Sequence, residues 1–242
     1  MINMKSKKVI SISAIAVVVF SLIFGAIYFN THYAIINGEI YKNDITEIHP
    51  YLDITDIEEI NKCNKIETMF LSKVSKNAIS RLKNFHNLNF LSILNSEVDS
   101  VDSEKINKFN NLEYLIITKT AIDFKGFNNN AVSTMLLGLS EITNIIELSK
   151  CKSLRSIVIQ NSIINDCIIN KGSYILENSS VFSSLDNVTK LTIVVDEIQD
   201  ISGILEMDSL KEFKVNKDSI SEEDVKLLED KGISVIYCDE NE

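Results

Sequence analysis

Few residues in this chain have the chemistry to drive a reaction. There are three histidines, His32, His49 and His86, and four cysteines, Cys63, Cys151, Cys167 and Cys238. None of the histidines has a serine or cysteine at a spacing known from nucleophilic catalysis, and neither G-x-S-x-G nor H-E-x-x-H occurs. Neither C-x-x-C nor H-x-x-x-H is present to hold zinc, and there is no glycine-rich loop to cradle a phosphate. The acid pairs Glu58–Glu59 and Glu222–Glu223 read as the wet faces of helical segments, although carboxylates far apart in sequence can still meet in space. The reading is therefore non-catalytic, with no catalytic residue, cofactor or metal site and no small-molecule substrate expected.

The charge distribution points to a membrane. Val9 to Phe29 form a run of 21 residues without a charge, preceded by Lys5, Lys7 and Lys8. At ~1.5 Å per residue that run spans ~30 Å of hydrocarbon. Basic residues stay on the cytoplasmic side, so residues 1–8 are expected as a cytoplasmic stub and 9–29 as a single transmembrane signal anchor. The competing reading is a cleaved secretory signal, but the run is long for one and Gly25-Ala26-Ile27-Tyr28 is a poor cleavage pattern. No cysteine ends the run, which excludes a lipoprotein anchor. Beyond Phe29 the chain carries 21 basic and 34 acidic residues, an acidic balance that repels phosphate backbones and argues against nucleic-acid binding.

The elements that would position any site come from an internal repeat. An apolar residue, two variable residues, a second apolar residue, one variable residue and a third apolar residue recur along the chain. The triplets are Ile66/Met69/Leu71, Leu88/Leu91/Ile93, Leu112/Leu115/Ile117, Val132/Met135/Leu137, Leu154/Ile157/Ile159, Val188/Leu191/Ile193 and Leu210/Phe213/Val215. Five residues further on comes another aliphatic residue, Val98, Ile122, Ile142, Ile164, Ile198 or Ile220, with Lys76 breaking the rule in the first copy. The intervals are 22, 24, 20, 22, 34 and 22 residues. The long one is read as hiding a degenerate copy, GSYILENSSV, with Tyr174, Leu176 and Val181 in the second, third and fourth apolar places.

Alternation through each triplet is that of a strand buried on one side. A single unit cannot bury its own apolar side, whereas stacked units share a continuous core. The stretch after Ser221 reads as a capped final helix, with Asp224 completing the capping box and Gly232 beyond its end, and Ile233, Val235 and Tyr237 as a closing strand. Cys63 and Cys151 hold the same repeat place as Phe85 and Phe109, four copies apart. At ~4.8 Å per strand that is roughly 19 Å, too far for a disulfide. Free cysteines are expected.

This pattern resembles the leucine-rich-repeat family, especially the short bacterial type seen in internalins, over roughly residues 45–242. The resemblance implies an α/β solenoid with a parallel sheet on its concave face. Residues 30–52 are then a juxtamembrane or N-terminal cap segment, and 53–242 the solenoid with its C-terminal cap. One departure is the family's asparagine ladder, replaced here by Val74, Ser96, Thr120, Ser140, Ser162, Asp196 and Asp218. By resemblance the function is protein–protein recognition on a bacterial-type cell membrane, with the folded part extracytoplasmic.

The outward residues of the strands mark the candidate partner-binding face. Between the second and third apolar places stand Phe70, Ser92, Ile116, Leu136, Val158, then Ile175, Thr192 and Lys214. Just before the second stand Thr68, Phe90, Tyr114, Thr134, Ser156, Lys190 and Glu212. Early copies are apolar and aromatic, late ones polar, so Phe70, Phe90, Tyr114, Ile116, Leu136 and Val158 are read as anchors for a protein partner. Two plainer readings compete: strand propensity alone, or coverage of the face by residues 30–52. A structural, self-associating component of a cell-envelope complex is the alternative function.

Overall fold

The computed structural model describes residues 21–48, 57–165, 167–170 and 172–238. The expected stub 1–8 and residues 9–20 of the expected anchor lie outside the described residues, as do 49–56, the junction of cap and solenoid. Residues 21–32 form helix α1, whose Leu22, Ile23, Phe24, Ile27 and Tyr28 are exposed. Among the described residues no helix is long and apolar enough to cross a membrane. Helix α1 leads directly into β1 (Tyr33–Ile36) and β2 (Glu39–Lys42), an antiparallel hairpin turning on Asn37 and Gly38, both at positive φ. Then come β3 (Glu47–Ile48) and α2 (Ile57–Ile60). Ala34 and Ile36 are buried against the stack, and Ile35 N donates to Glu59 Oε2 at 2.9 Å. Strand β3 joins the edge of the main sheet beside the first repeat. The described cap thus closes the end of the solenoid and does not lie over its outer face.

Each repeat then lays down a long strand and a short one. The first gives β4 (Thr68–Ser72) alone. Next come β5 (Phe90–Leu94) with β6 (Glu97–Val98), and β7 (Tyr114–Thr118) with β8 (Ala121–Asp123). Then follow β9 (Thr134–Gly138) with β10 (Glu141–Thr143), and β11 (Ser156–Gln160) with β12 (Ile163–Ile164). After β13 (Ile168–Asn170) and β14 (Tyr174–Leu176) the pattern resumes with β15 (Lys190–Val194) and β16 (Glu197–Ile198). It ends in β17 (Glu212–Val215) and β18 (Ser234–Tyr237). Helical returns include α3 (Ser100–Ile106), α4 (Ser202–Leu205) and α5 (Glu222–Asp230).

The long strands form a nine-stranded, wholly parallel front sheet, in the order β18-β17-β15-β11-β9-β7-β5-β4-β3. The short strands form a seven-stranded back sheet. All the triplet residues are buried between the two. So are the four cysteine-place residues Cys63, Phe85, Phe109 and Cys151, and none of the four cysteines forms a disulfide. In Asn129, which holds that place in the fourth copy, between Phe109 and Cys151, the amide donates to the carbonyls of Ile106 and Phe109. Its oxygen accepts from Ala131 and Val132, so this buried polar side chain is fully partnered.

The turn between long and short strand repeats with the same geometry. Lys73, Asn95, Lys119, Leu139 and Asn161 all sit at φ between 44° and 53°, in the left-handed region. The residue after each is the ladder place. Val74 N donates to Ser96 Oγ (2.9 Å), Ser96 N to Thr120 Oγ1 (3.3 Å), Thr120 N to Ser140 Oγ (3.2 Å) and Ser140 N to Ser162 Oγ (3.1 Å). Each hydroxyl in turn donates to the carbonyl two residues before it. The missing asparagines are replaced by a ladder of hydroxyls.

After β11 the 34-residue interval holds no second front strand. Strand β11 pairs directly with β15, while Tyr174–Leu176 is a back-sheet strand. Ile175 is therefore not on the front face, and GSYILENSSV is not a degenerate copy. The inserted residues form a meander: β12 with β13 and β13 with β14 are antiparallel, and β14 rejoins β16 in parallel. Its Tyr-x-Leu spacing fits a front strand, but Ile168 and Leu176 are each other's buried cross-strand partners. The back sheet thus advances three strand spacings, roughly 14 Å, where the front sheet advances one.

The C-terminal cap forms as expected: Ser221 accepts from Asp224 N, Gly232 follows α5 at φ +87°, and Leu228 and Ile233 are buried. In the closing strand Val235 is half-buried, but Tyr237 points out and is 43% exposed.

The insertion is fastened to the next repeat at Gly203, where an added Cβ would lie 2.1 Å from the Ser179 carbonyl oxygen. Beside it, Asp200 accepts from the amides of Ser179 (2.6 Å) and Ser202 (2.9 Å) and from Ser179 Oγ (2.8 Å). Burial alone would raise this carboxyl's pKa, but the bonds to its ionised form prevail and bring it down to about 2. A carboxyl whose folded pKa lies below the unfolded value of ~3.9 adds stability above that value and loses it as pH falls toward its folded pKa. Asp200→Asn should therefore lower the urea midpoint of the detergent-solubilised chain at neutral pH. It should also lose stability less steeply than the parent between about pH 4 and pH 2. Equal slopes for the two proteins would show that Asp200 is not the fastening group.

Candidate functional site

Inter-strand register decides which outward side chains meet. On the front sheet one row runs Phe70, Ser92, Ile116, Leu136, Val158, Thr192, Lys214, Ile236. The neighbouring row runs Thr68, Phe90, Tyr114, Thr134, Ser156, Lys190, Glu212, Ser234. The six anchor residues named from the sequence thus share one face of five consecutive strands, β4, β5, β7, β9 and β11. Their rings also meet, diagonally for Phe70 with Phe90 and directly across for Phe90 with Tyr114. Phe70 and Phe90 have centroids 5.2 Å apart, Phe90 and Tyr114 6.4 Å, both tilted. Leu136 leans over Gly138, its Cδ2 lying 3.5 Å from where a Cβ would stand. Tyr114 is the most open of the six at 45% exposure, the rest being half-buried by one another.

A third outward row, Ser72, Leu94, Thr118, Gly138, Gln160, Val194, adds Leu94 to the apolar half. The sequence reading stopped one place short of it. Carrying the two-residue alternation one step past the third apolar place finds it.

From β15 onward the face turns polar. Lys190 and Glu212 pair across adjacent strands at 3.1 Å, the lysine well exposed and the glutamate half-buried. A cleft of about 680 Å³ opens at the carboxyl ends of β11, β15 and β17, between Gln160, Thr192, Val194, Lys214 and Asn216. Several polar groups there serve the fold itself. Asp196 accepts from Tyr174 N at 2.6 Å, Asn216 Nδ2 donates to the Val195 carbonyl, and Ser219 Oγ donates to the Asn216 carbonyl.

Three of the four thiols, Cys63, Cys151 and Cys167, are buried in the core, while Cys238 is half-buried at the edge of the cleft. Burial pushes Cys151 and Cys167 up to about 12 and also raises Cys63, so none is a ready thiolate. His32 and His86 are exposed, and His49 lies outside the described residues. Among the described residues no three His, Cys, Asp or Glu side chains cluster as metal ligands would.

The adjacent residues Leu136 and Leu137 test this register, since one faces out and the other is fully buried. Leu137→Ala is expected to cost about 2–5 kcal/mol in urea unfolding, and Leu136→Ser less than about 1 kcal/mol. A reversed order would mean the strand is slipped by one residue.

No family model and no curated protein sequence matches the chain. Among solved structures it is similar to internalin C2 of Listeria monocytogenes, with a TM-score of 0.52 and 19% identity over 81% of this chain and 77% of that one. Internalin F of the same organism is matched with a TM-score of 0.45 and 16% identity, over 77% of this chain and 60% of that one. At such identity the first likeness speaks for the fold: a wholly parallel front sheet and a mostly parallel back sheet, stacked repeat on repeat, make an internalin-like leucine-rich-repeat solenoid.

Proposed function

We propose that the chain is a non-catalytic recognition module that binds a protein partner on the apolar half of its front sheet. The observation carrying this reading is the in-register patch of Phe70, Phe90, Tyr114, Ile116, Leu136 and Val158, left open by a cap that closes the end of the stack. Aromatic and aliphatic side chains already packed against each other lose little entropy on binding, which suits them to anchor an interface. Strand propensity favours aromatic and β-branched residues alike, but it does not by itself gather them on the first five repeat strands and leave the later ones polar.

The module is, in this proposal, held outside the cell by Val9–Phe29, with residues 1–8 in the cytoplasm. The lysines before that run and the exposed apolar side chains of α1 support it. Self-association through the same face, as part of an envelope assembly, is the competing reading.

The test is retention of partners from cell-surface extracts by the full chain in detergent, beside a Phe70→Glu/Leu136→Glu variant shown to be folded by circular dichroism. A partner held by the parent and lost by more than about tenfold in the variant, about 1.4 kcal/mol, is the expected result. The same partner held equally by both places binding elsewhere. No retention by either, with the parent oligomeric by light scattering, favours self-association.

A further inference from the structure

The cap hairpin carries a feature that neither its role as a lid nor the front-sheet patch explains. In β1–β2 the register sets Tyr33 opposite Lys42 and Ile35 opposite Ile40, all on one face. The other face holds Ala34 and Ile36, which are buried against the first repeat. Nothing in the solenoid needs the outward face to be apolar. Yet Ile35 is 44% and Ile40 62% exposed, side by side. Facing water, such a pair would favour polar residues.

We propose that this outward face is a second membrane contact, resting in the bilayer interface beside the point where the apolar helix leaves the lipid. The inference rests on the membrane-anchor reading above and extends it from a tether to a two-point mount.

Three observations carry it. The first is that no linker separates helix from hairpin: α1 ends at residue 32 and β1 begins at Tyr33. The last helical turn is clamped on both sides. Asn43 N donates to the His32 carbonyl (2.9 Å), Asn43 Nδ2 to the Thr31 carbonyl (2.8 Å), and Lys62 Nζ to Asn30 Oδ1 (2.6 Å). The cap cannot swing away from the helix end without breaking these bonds.

The second is continuity of apolar surface. Leu22, Ile23, Phe24 and Ile27 of α1 are each more than half exposed, and twelve further uncharged residues precede Ser21 in the expected span. Phe29 stacks on Tyr33 at 5.1 Å, and Tyr33 shares its hairpin face with Ile35 and Ile40. A lipid-facing surface therefore runs unbroken from helix to hairpin. The third is residue type and reach. Tyr28, Tyr33 and Lys42 cluster where the helix ends, and amphipathic rings with long-stemmed lysines are the side chains that settle at headgroup depth. Ile35 is two residues beyond Tyr33, about 7 Å along a strand, which is within the depth of one headgroup layer of about 5–8 Å. From Phe29, where the expected span ends, the helix adds about 6 Å before that strand begins, so the hairpin lies along the surface, and does not rise from it, to rest its isoleucine pair in the interface.

Because the chain has no tryptophan, single tryptophans report on position without background. Three variants of the full chain, Phe24→Trp in the helix, Ile40→Trp on the hairpin and Leu139→Trp at an exposed solenoid turn, would be reconstituted in phosphatidylcholine nanodiscs. Each would be measured with and without spin-labelled lipid. The expected result is blue-shifted emission quenched by the label for Phe24→Trp and Ile40→Trp, with Ile40→Trp quenched best by a headgroup-proximal label. Leu139→Trp should emit as in water and resist quenching. If Ile40→Trp behaves like Leu139→Trp while Phe24→Trp is quenched, the anchor stands and the second contact is refuted. If Phe24→Trp is also unquenched, the anchor reading fails and this inference falls with it.

Discussion

Every repeat of this solenoid must turn sharply between its long and short strands, and each such turn buries a backbone amide that the strands cannot satisfy. The amide of one repeat is answered by a hydroxyl of the next, from Val74 to Ser96 and on to Ser162. A hydroxyl can do this because it accepts and donates at once, taking the neighbour's N–H and giving its own proton to a carbonyl two residues back. An unanswered buried amide would cost about 1–3 kcal/mol per repeat, more than a marginal stack tolerates. The left-handed residue before each ladder place is the strain accepted to make that reach, and at Lys73, Lys119 and Leu139 it is borne by residues that do not favour it.

The ladder stops at Ser162, where the insertion begins. Asp196, which would continue it, instead serves the amide of Tyr174 in the inserted meander. At the same place the two sheets advance unequally, and the front face changes from apolar to polar. The apolar patch lies wholly on the side where the ladder is unbroken, across β4 to β11. The rigid register that sets Phe70, Phe90 and Tyr114 in contact is thus supplied by the turns behind them.

Much of this was legible in the sequence because two periods reinforce each other: alternation within a strand and a near-constant interval between strands. Ile157 and Ile159 must face in if they repeat with Leu137 and Leu115, and what stands between them must then face out. The anchor residues followed as the complement of the core. The insertion misled for a local reason: Tyr174, Ile175 and Leu176 copy the alternation of a front strand. The distinguishing signal was the absence of a first apolar member before them, with a turn at Gly172 in its place. The hydroxyl ladder was visible as a list of substitutions, but its bonding depends on which repeat donates to which. That is a matter of stacking, not of any one repeat. The exposed face of the cap hairpin belongs to the same class, since only cross-strand register shows that Ile35 and Ile40 lie together.

Hydrogen exchange resolved at single amides tests most directly the claim that the turns hold the stack in register. In the detergent-solubilised chain, the amides of Val74, Ser96, Thr120 and Ser140 should be protected to the same degree as those inside β5, β7 and β9. Exchange of these four at the rate of exposed loops, with the strand amides still protected, would show that the repeats are held together without the ladder.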